Sequence, residues 1–294
     1  MDTSSFADRD GYIWLNGELV DWRNANVHVL THGLHYASSV FEGERVYDGE
    51  IFKLTEHTER LIKSAEILGF DIGLSVEEIN KACLDTIAAN KIVDGYVRPV
   101  AWRGSEMMGV SAQQNKINLA VAAWVWPSYF DPEARMKGIR LQLSDWKRPS
   151  PETIPTQSKA AGLYMICTLS KHKAEADGFD DAVMLDYRGR IAEATGANIF
   201  FTKDGVLHTP TPDCFLDGIT RRTVIDLAKA RGIEVVERAI LPEEMAEFEE
   251  CFLTGTAAEV TPVGSIGDYG FTPGRICQQL IDDYENCVRR RAAA

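Results

Sequence analysis

Two short turn signals constrain this chain from its first residues. Asn16-Gly17 separates residues 12–15 from 18–21, and Asp48-Gly49 separates 46–47 from 51–52. Both dipeptides favour the positive-φ turns that match strand twist, so each predicts a β-hairpin. The apolar period then changes from that of a strand to that of a helix. Leu61, Ala65 and Leu68 share one helical face, with Thr55 as expected N-cap and Gly69 as closing residue. Ser75 and Glu78 have the spacing of a capping box, for a helix running to about Asn90. Two β-rich stretches follow, at 96–103 and 117–126, and Pro99 in the first predicts an edge or a bulge. Hairpins and amphipathic helices in this order confine the first half to a mixed α+β architecture.

The second half predicts a strand at 139–143, a loop carrying Pro149, Pro151 and Pro155, and a helix over about 163–177. Short strands are expected at 182–186, 190–193, 198–202 and 206–208, with turns at Gly189 and at Asp204-Gly205. Helices at about 220–230 and 242–247, a strand at 250–254 ending at Gly255, and a last helix at about 274–290 complete the pattern. A length of 294 residues suits two domains of moderate size. The polar stretch 130–137, with its Asp-Pro, marks the boundary. The expected organisation is a small N-terminal α/β domain at 1–131, a linker at 132–137 and a larger C-terminal domain at 138–294.

Composition removes several classes of function. Forty-four acidic and 31 basic residues give a formal net charge of −13, and no long basic stripe is present to neutralise phosphates along a nucleic acid. The longest apolar run, at 117–127, contains Asn118 and is too short to span a bilayer. The first residues lack a basic region followed by an apolar stretch, so a cytoplasmic location is expected. Six scattered cysteines without a CxxC pair read as thiols.

His28, His32 and His35 imitate a metal-ligand spacing, but no Cys or carboxylate cluster accompanies them, so structural histidines are expected and no metal. GxSxG, Walker A and GxGxxG patterns are absent. Four segments remain. Lys159 lies among small residues in a Pro-rich loop, where a planar group could approach its amine; alternatively it is a solvated loop lysine. Glu193 lies among small and apolar residues, so its carboxylate needs a cationic partner, which could be a simple strand-end arginine. Residues 216–221 run through Gly218 into a helix start, a natural phosphate seat, although Asp217 or Thr220 could merely cap that helix. Residues 252–259 end a strand in a turn with two hydroxyls, which is either an anion seat or an ordinary turn.

Together and in this order the segments resemble one family. SKAAG around Lys159, RIAEATGANIF around Glu193, LDGIT at 216–220 and GTAAE at 255–259 are similar to the signatures of pyridoxal-phosphate enzymes of fold type IV. HGLHYASSVFEGERVY at 32–47, LxxHxxRL at 54–61, YVRP at 96–99 and MGV at 108–110 point within that group to the branched-chain amino acid aminotransferases. The resemblance covers nearly the whole chain. It implies a two-domain α/β fold with pyridoxal 5'-phosphate between the domains.

The resemblance also implies roles. Lys159 would form the Schiff base with the cofactor aldehyde and then act as general base and acid. Arg60 would bind the phosphate, with donors at Gly218, Ile219, Thr220, Gly255 and Thr256. Glu193 would keep the ring nitrogen protonated, Tyr164 would hydrogen-bond the ring hydroxyl, and Leu216 would pack on the ring face. The Thr256 and Ala257 N–H groups, helped by Tyr96, would receive the substrate α-carboxylate. Tyr36, Phe41, Gly43, Met108, Val110, Trp126 and Tyr129 would shape the side-chain pocket, some of them across a dimer interface. Arg98 would receive the second carboxylate of glutamate, and Arg45 would orient the same wall or pair with a carboxylate.

The implied reaction moves the amino group of leucine, isoleucine or valine to 2-oxoglutarate in a ping-pong cycle, in a homodimer or higher oligomer. D-amino acid and (R)-amine aminotransferases and aminodeoxychorismate lyase share the fold and are the alternatives within it. A non-catalytic binding protein on the same scaffold is the alternative outside it, and the joint presence of Lys159, Glu193 and Arg60 argues against that. In a chain of charge −13, positive potential for these anionic ligands must be concentrated in a few cations.

Overall fold

A computed structural model describes residues 5–126 and 136–290. The chain divides into two compact units, Met1–Pro127 with Ser158–Gly162, and Ser128–Gln157 with Leu163–Ala294. The short segment carrying Lys159 therefore groups with the first unit, although it follows residues 132–137 in sequence. Residues 132–135 of the expected linker lie outside the described residues, as does Tyr129.

In the first unit the strands are β1 (Tyr12–Leu15), β2 (Glu18–Asp21), β3 (Ser39–Phe41), β4 (Glu44–Tyr47), β5 (Glu50–Ile51), β6 (Gly95–Arg103) and β7 (Ile117–Val125). Its helices are α1 (His32–Tyr36), α2 (Leu54–Ile67) and α3 (Val76–Ala89). The sheet runs β2-β1-β7-β6-β4-β5, with β3 also on β6. Both hairpins form as expected, Leu15 opposite Glu18 and Tyr47 opposite Glu50. Ser75 and Glu78 close the capping box of α3. Thr55 does not cap α2: that helix starts after Lys53, and the Thr55 hydroxyl accepts a hydrogen bond from Asn80 Nδ2 instead.

Pro99 is not on an edge. β6 lies between β7 and the β3/β4 pair. The Pro99 carbonyl accepts the Glu42 N–H at 2.9 Å, so its missing N–H would face the same side. That side is the break between β3 and β4, at Glu42 and Gly43, where a lost donor is tolerated. Alternation along β6 and β7 sends Val97, Val121 and Ala123 into a core with Val46, Ala82, Cys83 and Ile87. Tyr96, Arg98 and Trp124 lie on the opposite face.

The second unit contains strands β8 (Ile139–Leu143), β9 (Asp181–Leu185), β10 (Ile191–Ala194), β11 (Asn198–Lys203), β12 (Val206–Pro210) and β13 (Val235–Arg238). They continue with β14 (Glu250–Gly255), β15 (Glu259–Ile266) and β16 (Tyr269–Gly270). Its α-helices are α4 (Met165–Ala176), α5 (Ile219–Ala230) and α6 (Arg275–Val288); residues 242–247 form a 3₁₀-helix. The order β10-β9-β8-β15-β14-β11 closes on itself, because Glu193 of β10 pairs with Asn198 of β11. Leu141, Val183, Ile199, Leu253 and Val263 belong to the core of this unit. The strands β13 and β15 carry no turn-bounded alternation that would have exposed them in the sequence.

Candidate active site

In the first unit, backbone contacts hold Lys159 in place. Its carbonyl accepts the Phe41 N–H at 3.1 Å, and Ala160 bridges Val40. Ser64 of α2 supplies the other anchor. Its hydroxyl accepts the Lys159 N–H at 3.0 Å, and its carbonyl accepts the Ser158 hydroxyl at 2.9 Å. The small neighbours noted in the sequence permit this tight stitching, which fixes the root of the side chain. The amine ends 5.1 Å from the centroid of the Phe41 ring.

The same ring meets a second cation, since the Arg98 guanidinium carbon lies 4.8 Å from the Phe41 centroid. Arg98 Nη2 donates to the Tyr96 hydroxyl at 3.2 Å. Arg98 Nε is buried without a hydrogen-bond partner, and Arg98 makes no ion pair, among the described residues. A guanidinium in that condition has donors left to offer an anionic group. Tyr96 reaches this position because residue 43 is glycine: a Cβ there would sit 1.8 Å from the Tyr96 hydroxyl. Trp126 lies 5.6 Å from Tyr96, ring to ring. Lys159, Phe41, Gly43, Tyr96, Arg98 and Trp126 are thus brought together. Arg45 is turned to the Tyr47 ring at 5.1 Å and to the Trp126 carbonyl at 3.4 Å. Tyr36, Met108 and Val110 are exposed on this unit, Tyr36 stacked on His32.

Arg60 belongs to a network that sequence reasoning missed. Its Nε and Nη2 donate to the two oxygens of buried Glu42 at 2.6 and 2.8 Å, and His57 Nδ1 lies 2.7 Å from the same carboxylate. Burial works against charge on Glu42, but Arg60 and His57 outweigh it and hold the carboxyl well below the ordinary carboxylate range. Burial lowers His57, with Arg60 and Lys159 adding to the effect. The LxxHxxRL spacing was the available signal: it puts His57 and Arg60 at i and i+3 on one face of α2.

In the second unit, Glu193 lies at the pair that closes the ring of strands. Its partner is Arg148, whose Nε is 3.3 Å from Glu193 Oε1. Burial opposes the charge on Arg148, and Glu193 overcomes it and raises the guanidinium above its ordinary value. Asn198 organises the neighbouring loop: Nδ2 donates to Glu193 Oε2 at 3.4 Å and to the Leu216 carbonyl at 3.0 Å, and Oδ1 accepts the Gly218 N–H at 3.2 Å. A Cβ on Gly218 would lie 2.2 Å from Asn198 Oδ1, so any larger residue there must displace the Asn198 amide. Gly218 is the N-cap of α5 and caps it with no side chain, which leaves the first-turn N–H groups of Ile219 and Thr220 to other acceptors. Asp217, a possible cap, pairs instead with buried Arg221 at 2.9 Å.

Tyr164 precedes α4 as its N-cap residue, without a capping side-chain bond. Gly255 ends β14 with no room to spare, since a Cβ would meet the Gly196 carbonyl at 3.2 Å. Thr254 Oγ1 beside it is buried without a partner among the described residues. Thr256 and Ala257 form the turn into β15. Burial pushes the Cys167 thiol to about 11 and Cys214 to about 12, so neither offers a thiolate at neutral pH.

The histidine trio turns to backbone atoms: His32 Nε2 to the Gly109 carbonyl at 2.8 Å, His35 Nε2 to the Val29 carbonyl at 2.9 Å, and His28 Nδ1 to the Leu30 N–H at 3.1 Å. Asp186, Asp213 and Cys214 approach one another closely, but Arg188 bridges both carboxylates and closes that cluster. Taken unit by unit, the groups present fit a molecule with an aldehyde, a phosphate and a basic ring nitrogen. They are an amine on a fixed root, a helix start without a capping side chain, and an ion-paired carboxylate.

The pattern Amino-transferase class IV matches residues 39–266. The chain belongs to the class IV aminotransferase family. The matched span contains Phe41, Arg60, Lys159, Glu193, Gly218 and Thr256. A probable branched-chain-amino-acid aminotransferase of Rickettsia bellii is 49% identical over 283 residues, which is 95% of this chain and 96% of that protein. A solved T.th. branched-chain amino acid aminotransferase with pyridoxamine 5'-phosphate is 38% identical, with a TM-score of 0.93 over 96% of this chain and 95% of that one. The same T.th. enzyme complexed with N-(5'-phosphopyridoxyl)-L-glutamate is 37% identical, with a TM-score of 0.92 over 96% and 95% of the two chains.

Proposed function

We propose that this chain transfers the α-amino group of L-leucine, L-isoleucine and L-valine to 2-oxoglutarate, using pyridoxal 5'-phosphate held through Lys159. The names of its relatives support the substrate class, and the cofactor forms bound to the T.th. enzyme support the cofactor. The observation that carries the reading is the Phe41 ring, with the Lys159 amine at 5.1 Å and the Arg98 guanidinium at 4.8 Å. An amine suited to proton transfer and a cation suited to a second carboxylate share one wall. That wall is otherwise aromatic, which suits a branched apolar side chain, whose burial is worth about 2 kcal/mol.

When bound, the cofactor supplies an electron sink for the electrons left at the substrate α-carbon. The protein does the rest. Lys159 Nζ accepts the α-proton and holds it for return. Arg60 and the N–H groups of Ile219 and Thr220 would hold the phosphate, with Thr220 and Thr256 adding hydroxyls. Glu193, charge-paired with Arg148, would hold a proton on the ring nitrogen. Tyr164 would orient the ring hydroxyl, and Leu216 would pack on the ring. Thr256, Ala257 and Tyr96 would receive the α-carboxylate, and Arg98 the distal carboxylate of glutamate. Because leucine and glutamate use the same groups in turn, the two half-reactions alternate in a ping-pong cycle.

A half-reaction screen tests the reading. The cofactor absorbance of the holoenzyme is followed after adding L-leucine, L-glutamate, D-alanine or an (R)-amine. Bleaching by the first two supports the proposal. Bleaching confined to D-alanine or the (R)-amine would reassign the chain within its family.

A further inference from the structure

We infer that Phe6, on the N-terminal segment, is a positioning residue for dicarboxylate recognition, acting through Trp124 and Tyr96 on Arg98. The inference rests on the reading of Arg98 as the receptor for a distal carboxylate.

Tyr96 and Trp124 are direct cross-strand partners on β6 and β7, and their rings stack at 5.1 Å. Phe6 meets Trp124 edge-on at 5.3 Å, with the planes at 82°. Trp124 Nε1 is buried without a hydrogen-bond partner among the described residues, so no polar contact orients this indole. Its plane is set by packing: Tyr96 on one contact, Phe6 on another, and Trp126 at 6.4 Å. Tyr96 in turn carries the hydroxyl to which Arg98 donates at 3.2 Å. The chain Phe6–Trp124–Tyr96–Arg98 is continuous contact.

Phe6 is itself held. Trp22 Nε1 donates to the Phe6 carbonyl at 2.6 Å, and the Trp22 ring is buried. The Arg9 guanidinium lies 3.7 Å over the Phe6 ring. Arg23 ties the segment down further along, Nε to Asp8 at 2.6 Å and Nη1 to Asp10 at 2.9 Å. The Asp8 N–H closes a turn on the Ser5 carbonyl at 3.0 Å. Residues 6–10 are thus strapped beside Trp22 and Arg23, with one aromatic edge directed at the wall. Phe6 keeps 52% of its surface exposed, so its replacement removes the contact without opening a core.

The test measures binding, so it does not depend on turnover. Holoenzyme carrying 5-fluorotryptophan is titrated with glutarate, a dicarboxylate, and with 4-methylpentanoate, a branched monocarboxylate. The Trp124 ¹⁹F resonance, assigned with Trp124→Phe, reports binding. In Phe6→Ala the glutarate Kd is expected to rise about 5-fold, within the range expected for loss of one aromatic pair. The 4-methylpentanoate Kd should change less than about 2-fold, the melting temperature should fall by no more than about 5 °C, and Phe6→Tyr should restore glutarate binding. An equal change for both ligands, or an unchanged glutarate Kd, overturns the inference. Failure of the wild-type enzyme to accept leucine would instead overturn the proposed function, and is seen separately in the half-reaction screen.

Discussion

Glu44 should make the first unit lose stability as pH rises, and Glu44→Gln should abolish that loss. Glu44 opens β4 opposite Val97, is fully buried, and shares its sheet face with core residue Val46. Neither carboxyl oxygen has a hydrogen-bond partner among the described residues. Burial raises its pKa well above the ordinary value, ionised Glu42 adds to the rise, and Arg60 opposes it. The folded chain therefore keeps a proton that the unfolded chain releases above the ordinary glutamate range. Stability from this group is complete below that range and is lost as pH rises towards the folded value. While one proton separates the two states, the slope is about 1.4 kcal/mol per pH unit. Glutamine has the same shape and does not titrate. The assay is denaturant unfolding of the wild type and Glu44→Gln at successive pH values above the ordinary glutamate range. The variant is expected to gain on the wild type by about 1.4 kcal/mol for each pH unit. Parallel stability curves would show that Glu44 releases its proton normally in the fold, and would refute the reasoning.

Other substitutions test separate parts of the account. Arg98→Ala should cost about 10-fold or more in kcat/KM for glutamate or 2-oxoglutarate and much less for leucine, because only the former bring a second carboxylate; equal losses in steady-state assays would remove Arg98 from that role. Gly218→Ala places a Cβ 2.2 Å from Asn198 Oδ1, so cofactor affinity, read by fluorescence titration, should fall about 10-fold while helix content by circular dichroism holds. Arg148→Met removes the cation from Glu193 in a buried pair, and should destabilise the protein by about 3 kcal/mol in urea unfolding. An unchanged midpoint would mean that other groups already balance Glu193.

The local rules read best where one short segment decides the outcome. Asn16-Gly17, Asp48-Gly49 and the Ser75/Glu78 box specify their turns and cap without help from distant residues. The misread positions depend on partners far along the chain. Thr55 is drawn to Asn80 on α3 rather than to the start of its own helix. Pro99 is accommodated inside the sheet because the facing strand breaks at Glu42 and Gly43, which no local pattern around residue 99 reveals. The site shows the same division. Lys159, Glu193 and Gly218 lie in compact segments and could be named from sequence as candidates. Glu42, Arg148 and Asn198, which hold Arg60, Glu193 and Gly218, could not, because each is one more polar residue until folding sets it against its partner.

The central claim is that Lys159 carries the cofactor. Holoenzyme treated with borohydride and digested should yield, by mass spectrometry, one phosphopyridoxyl adduct, on the peptide containing Lys159, and Lys159→Ala should yield none while remaining folded. An adduct on any other lysine, or none at all in the wild type, would contradict the account.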